Sequence, residues 1–104
     1  MTVGVVTTKV ALLVELKAKL GQERELANFL TAQQSMAAVE PGMLAWFFVR
    51  LDAQTFALFD VFNEDADLQA HLSGSMAAAL MPRADELLAS PPQIRHAEVL
   101  ADLL

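Results

Sequence analysis

Residues 43–62 read MLAWFFVRLDAQTFALFDVF, and the fold turns on how this stretch is read. Two aromatic-rich runs, Met43–Leu51 and Thr55–Phe62, are joined by Asp52-Ala53-Gln54. Short runs rich in Val, Phe and Trp between turn residues read as strands, and so short a connection makes them a hairpin. Successive side chains of a strand face opposite sides. Leu44, Trp46 and Phe48 therefore share one face, and Ala45, Phe47 and Val49 share the other. Both faces are apolar. In the second strand Asp60 interrupts the apolar run, on the face that also carries Leu58 and Phe62. A carboxylate in such surroundings is costly unless it is paired, so Asp60 stands out.

Toward the N-terminus, Lys9–Lys17 (KVALLVELK) is a third strand by length and β-branching. Gly21 breaks the chain, and Gln22–Val39 then carries apolar residues at Leu26, Phe29, Leu30, Met36 and Ala37. These spacings predict an amphipathic helix with Glu23, Asn28 and Gln34 on its polar face. Pro41-Gly42 ends it, since proline disfavours helix at the residue before it. Residues 1–8 read as a loose arm or an extension of the first strand, ahead of a single domain expected over residues 9–104. Toward the C-terminus, Asn63 stands where a helix cap belongs, followed by Glu64, Asp65 and Asp67, acids that complement the dipole of a first turn. This helix reaches about Leu72 and stops at Ser73-Gly74. A second helical stretch, Met76–Ala89, contains Pro82, which kinks or restarts it. Gln93–Leu100 is a last, weaker strand.

The order is β-α-β-β-α-β, which predicts an α+β, ferredoxin-like fold with an antiparallel sheet. Its helices can cover one face of the sheet only. The other face needs a second layer, and a second copy of the same sheet is the simplest supply, giving a homodimer with sheets face to face. Composition agrees: 55% of the 104 residues are hydrophobic and 19% charged, against about 25% charged in an average soluble domain.

Other classes fall away. With 13 acidic residues against 7 Lys and Arg and a net charge of −6, no basic surface is available to track phosphates, and no nucleic-acid partner is expected. The absence of cysteine removes disulfides, thiolate metal sites and cysteine nucleophiles and fits a reducing, cytoplasmic location. No apolar run approaches the roughly 18 residues of a membrane helix. The N-terminus lacks the basic n-region of a signal peptide, so no membrane partner is expected. Glu64, Asp65 and Asp67 lack the glycine and alternating ligands of a calcium loop; the expected metal site is none. There is no glycine-rich phosphate loop, Ser-His-Asp order or dinucleotide fingerprint.

Three groups of residues together resemble the antibiotic biosynthesis monooxygenase family, which includes quinol monooxygenases. They are Glu40-Pro41-Gly42-Met43-Leu44; Phe56–Phe62 followed by Ala66–Leu72; and Leu80-Met81-Pro82-Arg83 leading into Leu87-Leu88 and Pro91-Pro92. The resemblance spans roughly residues 9 to 101. It implies a dimeric α/β barrel paired through its sheets, with a pocket between sheet and helices. It also implies oxidation of a phenol, quinol or polyketide-like aromatic by O₂ with no flavin, metal or haem, so the expected cofactor is none. The chain departs from the family pattern in two places. Asp60-Val61-Phe62 stands where Glu-x-Trp is usual, and Ser75 stands in place of a second histidine. The Asn, Trp and His set of the haem-degrading branch is incomplete, and haem degradation is not expected.

The candidate catalytic residues are His71 and Asp60. His71 titrates near neutral pH and serves as a proton acceptor in the pocket or as a helix-end cap. Asp60 serves as a base or as the partner of a helix or loop group. Trp46 and Phe62 are candidate substrate walls, against the plainer reading of core aromatics. Arg50 either neutralises Asp60 or Asp52 or holds an anionic substrate. His96 is read as a surface or interface residue. The expected function is a cofactor-independent monooxygenase of a small electron-rich aromatic. The alternative is a non-catalytic ligand-binding or dimerisation module on the same scaffold.

Overall fold

The Met43–Phe62 segment forms the expected hairpin in the structure, a computed structural model that describes residues 8–104. Its strands are β2 (Met43–Arg50) and β3 (Thr55–Phe62), and β1 (Val10–Lys17) and β4 (Gln93–Glu98) complete the sheet. The hairpin loop is closed by Asp52, whose Oδ1 accepts the backbone N–H groups of Gln54 at 3.0 Å and Thr55 at 2.9 Å. The bond from Gln54 is the leading cause that holds the Asp52 carboxyl below its ordinary value. All pairings are antiparallel in the order β2-β3-β1-β4, so the fold is α+β and ferredoxin-like. The arm expected over residues 1–8 lies outside the described residues, apart from exposed Thr8.

Helices α1 (Glu23–Thr31) and α2 (Gln34–Ala37) connect β1 to β2, while α3 (Asp65–Leu72), α4 (Ser75–Leu80) and α5 (Ala84–Leu87) connect β3 to β4. All the apolar positions expected of one helix over Gln22–Val39 are helical, yet the helix is broken at Ala32-Gln33. There the Gln33 N–H turns to the Leu30 carbonyl at 3.0 Å, a tightened i−3 bond. Neither glycine nor proline marks this break. Pro82 restarts the C-terminal stretch as expected, inside a short 3₁₀ turn at Met81–Arg83. The first helix after the hairpin is capped one residue later than Asn63: Glu64 is its N-cap, and no side-chain oxygen closes the cap. The final strand ends at Glu98 rather than Leu100.

The core lies between the sheet and the helices. It is built from Leu12, Val14 and Leu16 of β1, Phe56, Leu58 and Phe62 of β3, Leu26 and Leu30 of α1, Leu68 of α3 and Leu87 of α5. Trp46 and Phe48 of β2 pack against it. A bulge between Met43 and Ala45 leaves Leu44 as an extra residue. This corrects the strict alternation: Trp46 and Phe48 share the covered face, and Leu44 does not continue their row. On the opposite face Leu13, Phe47, Val49 and Phe59 are open to solvent in the single chain. Among the described residues no helix is long and apolar enough to cross a membrane.

Candidate functional site

Asp60 is the one acid in the covered face of β3, and it is 1% exposed. The register sets it opposite Leu12 of β1 and Trp46 of β2. Helix α3 brings His71 over this point, and the His71 Nε2 lies 3.2 Å from Asp60 Oδ2. Its other nitrogen, Nδ1, lies 2.6 Å from Glu40 Oε1. Phe62 packs against the imidazole with ring centroids 5.2 Å apart. The site therefore joins three regions of the chain: the turn before β2, the end of β3 and the last turn of α3.

A backbone detail holds Glu40 in place. The chain turns at Pro41-Gly42, where Gly42 adopts φ +78°, a left-handed conformation that glycine adopts without a Cβ penalty. A Cβ at Gly42 would stand 2.1 Å from Asp67 Cγ. Asp67 and His71 are one helical turn apart on α3, so the same face of that helix presses on the turn and receives Glu40. The Asn63 N–H donates to the Gly42 carbonyl at 2.9 Å and ties the turn to the end of β3.

Ionised carboxylates can only accept hydrogen bonds. Two of them, one at each ring nitrogen, require both nitrogens to donate, which is the imidazolium form. Burial alone would lower the His71 pKa. The hydrogen bonds to Asp60 and Glu40, with the charges of both, outweigh burial and hold it above the ordinary 6.5. Among the described residues nothing donates to Asp60 Oδ1, and the buried Trp46 Nε1 and Gln33 Oε1 are likewise unpartnered.

Of the residues expected from sequence, His71, Asp60 and Phe62 meet, and Trp46 faces Asp60 across the β2–β3 pair. Arg50 does not join them. It pairs with Phe56, about 13 Å along β3 from Asp60. Its guanidinium carbon lies over the Phe56 ring, 4.9 Å from the centroid. Asp52 is served by backbone N–H groups instead, so Arg50 neutralises neither acid. His96 lies on exposed β4 and lines a shallow groove with Asp65 and Leu68. Sequence reasoning missed Glu40 as a site residue; its only signal was an acid directly before the Pro-Gly turn.

Two clefts flank α2. One, of about 370 Å³, is lined by Met36, Val39, Glu40, Pro41, Asp67, Ala70, Gly74 and Ser75. The other, of about 210 Å³, is lined by Gln34, Ala37, Ala38 and Met43 through Trp46. Neither is lined by His71 or Asp60 themselves. Glu40 is the outermost member of the clasp, with its side chain 18% exposed.

No protein-family model and no functionally curated protein matches the sequence. Among solved structures, the NE2512 protein of unknown function from Nitrosomonas europaea is 49% identical, with a TM-score of 0.91 over 94% of this chain and 95% of that one. The chain belongs to the NE2512 family. Two further structures share this fold, one of them bearing the antibiotic biosynthesis monooxygenase name. A protein from Nitrosomonas europaea provisionally assigned as an antibiotic biosynthesis monooxygenase is 14% identical, with a TM-score of 0.82 over 94% of this chain and 96% of that one. PA3566 from Pseudomonas aeruginosa is 23% identical, with a TM-score of 0.81 over 94% and 100%. The fold expected from sequence is thus the fold this family has.

Proposed function

We propose that this member of the NE2512 family oxidises a small, electron-rich aromatic alcohol with O₂, without flavin, metal or haem. One observation carries the reading: a fully buried carboxylate, Asp60, has one oxygen held by His71 while the other is unpartnered. Asp60 Oδ1 is the base. It takes the phenolic proton and returns it to the peroxide oxygen once O₂ has added, while the His71 imidazolium, held by Glu40, steadies the carboxylate through Oδ2. The phenolate is electron-rich enough to reduce O₂ by one electron. The resulting radical pair joins at a ring carbon, and the hydroperoxide loses water. For a simple phenol the balance is C₆H₆O + O₂ → C₆H₄O₂ + H₂O, with one oxygen atom entering the ring product and the other leaving as water. What the protein supplies is orientation, a base and a dry apolar wall at Phe62.

The second reading, a binding module on the same scaffold, is favoured by the close packing around Asp60 and Phe62, where neither cleft reaches the carboxylate. Both readings place two copies sheet to sheet, covering Phe47, Val49 and Phe59 in an interface of more than ~1,600 Å² in total. Oxygen uptake by the chelator-treated protein with hydroquinone as substrate decides between them. Uptake that Asp60→Asn cuts about 10²-fold or more, with the fold retained, supports the enzyme. Binding of hydroquinone with no uptake identifies the module.

A further inference from the structure

His71 stands between two carboxylates that differ in their access to water. Asp60 is 1% exposed, and its Oδ1 has no donor among the described residues. The Glu40 side chain is 18% exposed and lines the 370 Å³ cleft between the Pro41-Gly42 turn and α3. A doubly protonated imidazole donates to both acids at once, whereas a neutral one has a single N–H to give. Proton loss therefore forces a choice between them. A carboxylate without a donor is costly in a buried place and far less so where water reaches it. The remaining proton thus stays on Nε2, facing Asp60. Nδ1 is then a lone pair 2.6 Å from Glu40 Oε1. Two acceptors at that distance repel, and of the two carboxylates only Glu40 has open space beside it.

The chain around Glu40 allows that movement and limits it. Val39, Glu40 and Pro41 all line the cleft, and Val39 is exposed. Directly after them the turn is fixed. The Gly42 carbonyl accepts the Asn63 N–H at 2.9 Å, and the Asp67 carboxylate fills the place of the missing Gly42 Cβ. Residues 39–41 can shift while Gly42 and the end of β3 stay. Among the described residues the charged groups that face the ring are Asp60 and Glu40, with Asp67 one turn away on α3 itself. Helices α2 and α4 carry no titratable side chain. On the covered face β1 presents Leu12 and Val14 there, and β2 presents Trp46 and Phe48. His96 and Glu98 share this face of the sheet but stand on β4, two strands from β3 and so about 9–10 Å away.

We propose that His71 is a proton-operated latch. Doubly protonated, it holds Glu40 inward; with one proton lost, it keeps Asp60 and releases Glu40 into the cleft. The release bares the Nδ1 edge of the ring toward the cleft. It leaves Glu40 and Asp67 there with no Lys or Arg among the lining residues. Solution pH thereby sets both the wall of the cleft and its charge. The latch follows from the geometry of the clasp and does not depend on the proposed oxidation.

The test is an NMR titration of the wild-type protein through the loss of the His71 proton, with His71 assigned by a His96→Gln variant. Two-bond ¹H–¹⁵N spectra should show neutral His71 as the Nε2–H tautomer, about tenfold or more over the Nδ1–H form, as the cost of an unpaired buried group predicts. The Val39 and Glu40 amide resonances should move with the same midpoint. Glu40→Gln carries an amide that accepts from Nδ1–H or, once flipped, donates to a bare Nδ1. That variant should keep the turn closed, so its Val39 resonance stays while His71 still loses its proton. The ring changes charge in both proteins, so the difference between them reports the movement. Asp60→Asn can donate to a bare Nε2 and should reverse the tautomer; if it fails to fold, the wild type and Glu40→Gln decide alone. A neutral wild-type His71 with its proton on Nδ1 overturns the inference. So does a Val39 resonance that moves equally in wild type and Glu40→Gln, or loss of the fold's circular dichroism together with the His71 proton.

Discussion

The two faces of the sheet are made from the same four strands, and both are apolar, yet they end in opposite states. On the covered face Leu12, Leu16, Phe56 and Phe62 are fully buried under the helices, and Asp60 is buried among them. On the open face Phe47 is 56% exposed and Phe59 38%. Large apolar side chains alone therefore do not mark the side that the helices take: the open face also carries exposed Glu15, Lys17 and Arg95, whereas the acid of the covered face, Asp60, is buried. A carboxylate needs a partner that can reach it, and only the helical side offers one, in His71. The open face carries no equivalent demand and is exposed to solvent in the single chain.

The largest effects should follow from breaking the covered face. Phe62→Ala removes a fully buried ring and the packing of the imidazole, and should cost about 3–5 kcal/mol in denaturant melts. Phe47→Ala, on the open face, should cost less than about 1 kcal/mol in the isolated chain. Equal losses at the two positions would dissolve the distinction. His71→Ala leaves Asp60 buried and uncompensated, and should also cost about 3–5 kcal/mol, with Asp60→Asn restoring much of that loss in the double variant.

A second test sharpens the open face. Phe47→Glu places a charge at the centre of the proposed sheet-to-sheet contact and should convert a dimer to a monomer in light scattering while leaving the fold's circular dichroism unchanged. A wild-type chain that is monomeric at micromolar concentration removes the proposed second layer.

Intermediate effects concern the turns, among them the one that positions Glu40. Gly42 and Gly21 both have positive φ, +78° and +87°, but a Cβ at Gly21 meets nothing within 4 Å whereas one at Gly42 collides with the Asp67 carboxylate. Gly21→Ala should cost about 1–2 kcal/mol from its backbone alone. Gly42→Ala should cost more, and should in addition lower the His71 pKa, because displacing the turn moves Glu40 from Nδ1.

The order of elements along the chain, the hairpin and the face Asp60 shares with Leu58 and Phe62 were legible because each rests on local pattern: alternation, a short turn, and one acid in an apolar run. The expected partner of Asp60, a helix or loop group, is His71 of α3. Three features were not legible. Glu40 meets His71 across 31 positions of sequence, a pairing that only the packing of the turn against α3 creates. The helix break at Ala32-Gln33 has no glycine or proline to announce it, because a tightened turn needs neither. The bulge at Leu44 shifts the phase of one strand by a residue that looks like any other apolar residue. Arg50 was misassigned because a long cation near two acids suggests an ion pair, while its position opposite Phe56 offers a ring face instead.

The clasp also sets a pH dependence. His71 has a folded pKa raised above 6.5 by Asp60 and Glu40 against the opposing effect of burial. Its contribution to stability is therefore complete below about pH 6.5, the unfolded value, and is lost as the pH rises through the higher folded value. The direct measurement is the titration of the imidazole nitrogens by ¹⁵N NMR. The chain has two histidines, and a His96→Gln variant assigns the His71 signals. The clasp predicts that His71 keeps both nitrogens protonated above pH 6.5, the ordinary value, and that Glu40→Gln lowers the point at which it loses a proton. A His71 that carries a single N–H at pH 6.5, or whose titration Glu40→Gln leaves unmoved, would contradict it.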